Sequence, residues 1–100
     1  MSHNHNFNQN EWPFKESSSS QVYTTKLVVH EQYPIVFIVH DEDGDWQFLC
    51  GTTTEDIVVA CFGCFYEHHK LIEQFSDLPR GWCAWRDNVN SPWFKEQQAV

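Results

Sequence analysis

The fold of this chain is decided by the stretch His40-Asp-Glu-Asp-Gly-Asp-Trp-Gln-Phe-Leu-Cys-Gly51, where an apolar run stops at a cluster of acids and then resumes. The preceding run, Ile35-Val-Phe-Ile-Val39, is short, β-branched and aromatic, and the following run places Trp46 and Phe48 on one face of an extended chain. Asp43-Gly44 is a strong turn signal, because glycine readily adopts the positive φ that tight hairpin turns require. The stretch therefore predicts a β-hairpin.

The segments on either side of the hairpin predict the rest of the sheet and one helix. Residues 21–29 favour a first strand, and residues 57–62 are apolar on both faces, as in a central strand that is covered on both sides or in a strand that lies under a helix. The spacing of apolar residues over 64–75 predicts an amphipathic helix of about three turns. Pro79 lies beyond the end of that helix, and Trp82-Cys-Ala-Trp85 fits either a helical turn or a compact loop.

These elements predict an α+β domain with a small antiparallel sheet of three or four strands and one main helix packed on one face. We expect residues 1–20, which are rich in Asn, His, Gln and Ser, to form a disordered polar tail, although Trp12-Pro-Phe14 could dock on the domain. Residues 21–95 are expected to form the single domain, and residues 96–100 a frayed C-terminus.

Composition and charge narrow the classes of partner. The chain has 100 residues and a formal net charge of −8, from fourteen acids and six scattered bases. This balance disfavours nucleic acid as a partner, because phosphate binding needs clustered Lys and Arg, whereas it suits a basic protein. The sequence shows neither an export signal nor an apolar run long enough to span a membrane, so we expect a cytoplasmic protein that has no membrane partner and whose four cysteines are reduced.

The turn of the hairpin supplies the candidate partner-binding site. Acids that are exposed beside an aromatic anchor are common in recognition surfaces. The predicted partner-binding residues are Asp41, Glu42, Asp43, Asp45 and Trp46.

A second hypothesis concerns the pair Cys61-Phe-Gly-Cys64 and the imidazole of His68. Two thiolates and one imidazole at this spacing can supply three ligands of a tetrahedral zinc site, with Cys50 or Cys83 as the fourth. The simpler interpretation is that these are ordinary buried cysteines and that the protein has no cofactor. A redox role for the same pair would need a thioredoxin-like arrangement, which the hairpin does not favour.

An enzymatic function finds little support in the sequence. The chain contains no GxSxG or HExxH motif and no phosphate-binding glycine loop, and we assign no catalytic residue. An enzyme would need a concave pocket that contains His40 or Cys50 with a carboxylate in reach. For His40, a structural hydrogen bond to a neighbouring carboxylate is the simpler expectation.

Three stretches together resemble a family of small uncharacterised bacterial proteins: His40 to Gly51, Asp77-Leu-Pro-Arg-Gly-Trp82, and Ala84-Trp-Arg86. In outline they are also similar to immunity-type domains, in which an acid-Gly-Trp-x-Phe-Leu-x-Gly hairpin precedes a strand and a helix. The resemblance covers roughly residues 35–93 and is carried by Asp43, Gly44, Trp46, Phe48, Gly51, Gly81, Trp82 and Trp85. It implies a shared fold and a non-enzymatic protein-interaction module, immunity-like or regulatory, rather than a reaction.

Overall fold

The computed structural model describes residues 12–51 and 56–98, and within them six strands form one mixed sheet. The strands are β1 Gln21–Thr25, β2 Phe37–His40, β3 Trp46–Leu49, β4 Ile57–Cys61, β5 Trp82–Trp85 and β6 Phe94–Gln97. Their order across the sheet is β4-β1-β3-β2-β5-β6. The β1–β3 pair is parallel and every other neighbouring pair is antiparallel.

The predicted fold class is therefore wrong in strand number, strand direction and helix content. The sheet has six strands and one parallel pair, and the described helices are all short: α1 Lys26–His30, α2 Phe62–His68 and a 3₁₀ helix at Lys70–Phe75. The parallel pair arises because the chain runs from β1 through α1 into β2, and β3 then turns back into the space between them. Thr24 supports this junction, since its Oγ1 donates a hydrogen bond to the carbonyl of Phe48 at 2.7 Å.

The predicted hairpin is confirmed. Strands β2 and β3 pair antiparallel with His40 opposite Trp46 and Phe37 opposite Leu49. Gly44 lies in the connecting turn at φ +93°, in the left-handed region that favours glycine. The hairpin supplies the two central strands on which the rest of the sheet is assembled.

One face of the sheet, which we call the inner face, carries the core. Alternate residues of the strands point to it, and the helices and residues 12–20 pack against it. Its most completely buried large side chains include Ile38, Trp46 and Phe48 from the strands and Phe62, Ile72 and Phe75 from the helical segments. The opposite, outer face is less completely buried, because Ile57, Val59 and Phe94 remain 42–52% exposed.

The prediction of a covered central strand at residues 57–62 is also wrong. β4 lies at one edge of the sheet and pairs only with β1, among the residues that the structure describes. Its continuous apolar pattern reflects an inner face that contacts the core through Ala60 and an outer face that stays exposed at Ile57 and Val59. An apolar run does not by itself distinguish a central strand from an edge strand.

The single helix predicted over 64–75 is instead two short helices. α2 ends at His68, the backbone of His69 leaves the helical region at φ −137° and ψ 65°, and the 3₁₀ helix follows. In a continuous α-helix, Phe75 would lie roughly half a turn away from the face that carries Phe62 and Tyr66. In a 3₁₀ helix residues three apart share a face, so Ile72 and Phe75 both reach the core.

Segments outside the predicted domain boundaries also take part in the structure. Trp12 and Phe14 pack against Phe62, at ring-centroid distances of 5.0 and 4.6 Å, as the docking alternative for this segment anticipates. Residues 1–11 of the predicted tail and residues 99–100 of the predicted frayed end lie outside the described residues. Residues 96 and 97 belong to β6.

Within the described ranges, no helix has both the length and the apolar character needed to cross a membrane.

Candidate functional site

The turn between β2 and β3 is held in shape by Asp41. Its Oδ1 accepts hydrogen bonds from the backbone N–H groups of Asp43 at 3.0 Å and Asp45 at 3.2 Å. The backbone closes the same turn, because the N–H of Asp41 donates to the carbonyl of Asp45 and that of Gly44 donates to the carbonyl of Asp41, both at 3.0 Å. Such side-chain-to-backbone bonds are the reason that aspartate favours turns.

Arg80 lies directly against this turn. A Cβ atom added at Gly44 would come within 2.8 Å of its Nη2 atom, so the guanidinium group packs where only glycine leaves room. The side chains of Glu42, Asp43 and Asp45 are exposed. We call these three residues the acidic turn; they project from a backbone that Asp41 fixes.

Trp46 is placed differently from the acids beside which it was predicted to act. Its side chain is 1% exposed and belongs to the core. The indole Nε1 donates a hydrogen bond to Oε1 of Glu16 at 2.9 Å, and the ring stacks on Phe48. Trp46 therefore packs in the core under the acidic turn and does not contribute exposed surface to the site.

His40 has a buried, stacked imidazole ring, and only one of its two nitrogens has a hydrogen-bond partner. Its ring stacks on Trp46 with centroids 3.9 Å apart and planes 10° from parallel. Nδ1 lies 2.7 Å from the carbonyl oxygen of Leu78, which can only accept, so Nδ1 carries the proton. The other nitrogen, Nε2, is buried without a hydrogen-bond partner, and the nearest carboxylate oxygen, Oε2 of Glu16, is 3.6 Å away.

A cavity of about 610 Å³ opens beside His40 and Glu16. Its lining includes Ser76, Asp77, Pro79 and Arg80 from the segment that follows the 3₁₀ helix. We call this cavity the His40 pocket. It combines the imidazole of His40 with two carboxylates, Glu16 and Asp77, and two cations, Lys15 and Arg80, which is a mixture of groups expected where a polar ligand group is bound.

The expected partner of His40 was a neighbouring carboxylate, but its short hydrogen bond goes to the backbone carbonyl of Leu78. The carboxylate that faces it belongs to Glu16, 24 positions earlier in the sequence. Glu16 lies in the segment predicted as a polar tail, so sequence reasoning assigned it no role. The only signal that could have indicated it is the pair Trp12 and Phe14, whose docking carries the following residues onto the sheet.

The thiols and imidazoles of the zinc hypothesis lie at the junction of β4 and α2. Cys61 is the N-cap residue of α2 and Cys64 lies in its first turn, while His68 is exposed at the end of the helix. In the parts of the chain that the structure describes, no three His, Cys, Asp or Glu side chains are arranged to hold a metal ion. The zinc hypothesis for Cys61, Cys64 and His68 remains a prediction without a preformed ligand set.

The two thiols nevertheless contact each other. A hydrogen bond joins the side chains of Cys61 and Cys64, and Cys61 Sγ also lies 3.4 Å from the carbonyl oxygen of Ser18. Burial raises the pKa of the Cys64 thiol, and the hydrogen bond with Cys61 and the negative charges of Cys61 and Glu67 raise it further. None of the four cysteines, which all lie within the described residues, takes part in a disulfide bond.

Two further titratable groups frame α2. Burial raises the pKa of Tyr66, and the charge and hydrogen bond of Glu73 add to this. Burial lowers the pKa of His69, helped by His68, and its ring stacks on Phe65 at 4.4 Å. Both groups are therefore neutral near pH 7 and serve mainly in packing.

Comparisons with known proteins give no match for this chain, whether with protein-family models, with curated proteins or with solved structures.

Proposed function

We propose that this protein is a non-enzymatic protein-interaction module, of an immunity-like or regulatory kind, that binds a basic protein through the acidic turn and the adjoining His40 pocket. The observation that carries the proposal is the unpartnered, buried Nε2 of His40 beside the carboxylate of Glu16. In the neutral imidazole both are hydrogen-bond acceptors, since Nδ1 donates to the carbonyl of Leu78. A lysine or arginine side chain of a partner donates to both.

The acidic turn adds the electrostatic attraction. Glu42, Asp43 and Asp45 are exposed beside the pocket, and the net charge of −8 favours encounter with a positively charged surface. The hydrogen bonds of Asp41 already order the turn, so binding loses little conformational entropy there. The sequence resemblance to immunity-type domains is consistent with this type of partner.

A charge-matched pair of variants tests the proposal. One replaces the acidic turn (Glu42→Gln, Asp43→Asn, Asp45→Asn), and the other replaces three exposed acids at the opposite end of the sheet (Glu31→Gln, Asp56→Asn, Asp87→Asn). The probe is a short oligolysine peptide, and its affinity is measured by calorimetry at low salt. We expect the first variant to lose about tenfold or more and the second to stay close to the wild type. Equal losses in both variants mean that binding follows net charge alone, and the proposal is then wrong.

The location that we propose remains cytoplasmic. The support is that no disulfide bond joins Cys50, Cys61, Cys64 or Cys83, all within the described residues, as is usual for a protein of a reducing compartment.

One observation favours a second candidate function, proton-transfer catalysis. The carbonyl of Leu78 orients the ring of His40, and His40 lines a pocket that also contains a carboxylate. This is the arrangement of a general base. Hydrolysis of p-nitrophenyl acetate provides the test, with His40→Gln compared against His30→Gln, which changes an exposed histidine. A rate that falls only in His40→Gln supports catalysis, and equal rates in all three proteins remove this candidate.

A further inference from the structure

We propose that Cys61 and Cys64 form a redox site, in which the two thiols are converted reversibly into an intramolecular disulfide by exchange with a low-molecular-weight disulfide of the glutathione type. The proposal is independent of the acidic turn and the His40 pocket. It rests on two thiols that are already in contact and on two cavities that give access to them.

The two thiols are within hydrogen-bond contact of each other. Cys61 and Cys64 are joined by a side-chain hydrogen bond across the start of α2, and both are partly exposed. A disulfide bond is about 2 Å long, so closure requires a rotation of the side chains. The other two cysteines are different, because Cys50 and Cys83 are each only 5% exposed.

Each thiol faces its own cavity. Cys64 lines a cavity of about 540 Å³ together with His68 and His69, and Cys61 lines one of about 350 Å³ beside Gln21. A small disulfide therefore reaches the pair from either side without unfolding of the domain. Thiol–disulfide exchange needs this access as well as a thiolate.

The exchange proceeds in two steps. One cysteine of the pair loses its proton to solvent, and its thiolate attacks the small disulfide RSSR, forms a mixed disulfide and releases one thiolate RS⁻, which takes up a proton. The other cysteine then loses its proton to solvent and attacks the first protein sulfur, which releases the second RS⁻, and this also takes up a proton. In total, two protein thiols are oxidised to one disulfide and one RSSR is reduced to two RSH.

Closure of the disulfide also changes a tertiary contact. The Cys61 thiol loses its hydrogen and can no longer donate to the carbonyl of Ser18, which still accepts from the N–H of Gly63 at 2.8 Å. Oxidation thus weakens one of the links between residues 12–20 and the junction of β4 and α2.

The primary test uses the unmodified protein in glutathione buffers of graded ratio near pH 7.5, with acid quenching and alkylation of free thiols. In excess oxidised glutathione we expect two of the four thiols to be lost. Cleavage after glutamate gives a peptide of residues 56–67 that contains only Cys61 and Cys64, and we expect it to lose two hydrogen atoms in the mass spectrum. Dithiothreitol should restore all four thiols. Retention of four free thiols, or a disulfide that includes Cys50 or Cys83, overturns the proposal.

Two serine variants test whether both thiols are needed. Cys64→Ser and Cys61→Ser should each stop at a stable mixed disulfide with glutathione, because the second thiol that would displace the glutathione is absent. The double variant Cys50→Ser, Cys83→Ser is the matched control and should still lose two thiols. Absence of a mixed disulfide from both single variants contradicts the proposed exchange. If a single variant fails to fold, the thiol count of the unmodified protein still decides whether the site exists.

Discussion

The two faces of the sheet differ in how completely their large side chains are buried. On the inner face Ile38 and Phe48 have no exposed surface and Trp46 has 1%, because helices and residues 12–20 pack over them. On the outer face Phe94 is 47% exposed and its main ring contact is with Trp85, at 4.7 Å. The difference teaches that the largest buried rings, and the free energy that they contribute, lie on the inner face, whereas on the outer face only the middle strands are covered, at Val39, Leu49 and Cys83.

The largest expected loss of stability comes from a substitution in the core of the inner face. Phe48→Ala removes a ring that packs on Phe62 and Phe65, and we expect a loss of about 4 kcal/mol in the free energy of unfolding. For a domain of this size such a loss is a large part of the total stability. Chemical denaturation followed by circular dichroism measures it. A loss below about 1 kcal/mol would contradict the assignment of the core to the inner face.

A smaller effect is expected where the inner face meets the His40 pocket. Trp46→Phe keeps an aromatic ring but removes the Nε1–H that Glu16 accepts, and we expect a loss of about 2 kcal/mol. Glu16→Ala is the partner variant, because it removes the carboxylate that accepts from Trp46. Denaturation of both single variants and the double variant gives the coupling energy. Purely additive losses would mean that this hydrogen bond does not fasten residues 12–20 to the sheet.

The turn that joins β2 and β3 determines how these two strands pair, and therefore which of their residues lie on each face of the sheet. Gly44→Ala places a Cβ at φ +93° and 2.8 Å from Arg80 Nη2, so we expect a loss of about 1 to 2 kcal/mol. Adding Arg80→Ala should recover the part that comes from the close contact and leave the part that comes from the backbone. Thermal unfolding of the three proteins separates the two contributions. An unchanged melting temperature in Gly44→Ala is the contrary outcome.

The smallest effect is expected on the outer face. Phe94→Ala removes a half-exposed ring from β6, and we expect a loss below about 1 kcal/mol. The same denaturation experiment compares it with Phe48→Ala, which removes an identical side chain. If the two losses are equal, the two faces do not differ in the way described here.

Sequence reasoning recovered the hairpin because Gly44 and the alternation around Trp46 are local signals. It missed β5 and β6 for a physical reason. In β5 both tryptophans are only partly buried and they point to opposite faces, and β6 is exposed at every position, so neither strand shows a clear alternation. It also predicted a first strand that was too long. Lys26 to His30 continues the β-favouring composition of β1 but forms α1. Tertiary packing decides such short segments.

The candidate site was predicted only in part. The acidic residues are recognisable from the sequence because they interrupt an apolar run, and three of them are exposed as a turn requires. The His40 pocket depends on Glu16 and Leu78, which lie 24 and 38 positions away from His40 and meet it only in the folded chain. No local sequence pattern predicts contacts between residues so far apart in the chain.

The order of the strands has a consequence for how the polypeptide assembles during its synthesis. The three strands at the middle of the sheet, β1, β3 and β2, all come from residues 21–49, so they can pair before the second half of the chain has left the ribosome. β4 then joins one flank, and β5 and β6 join the other in succession. The nascent sheet grows outward from a centre that is made first, and the last strand to emerge completes its rim.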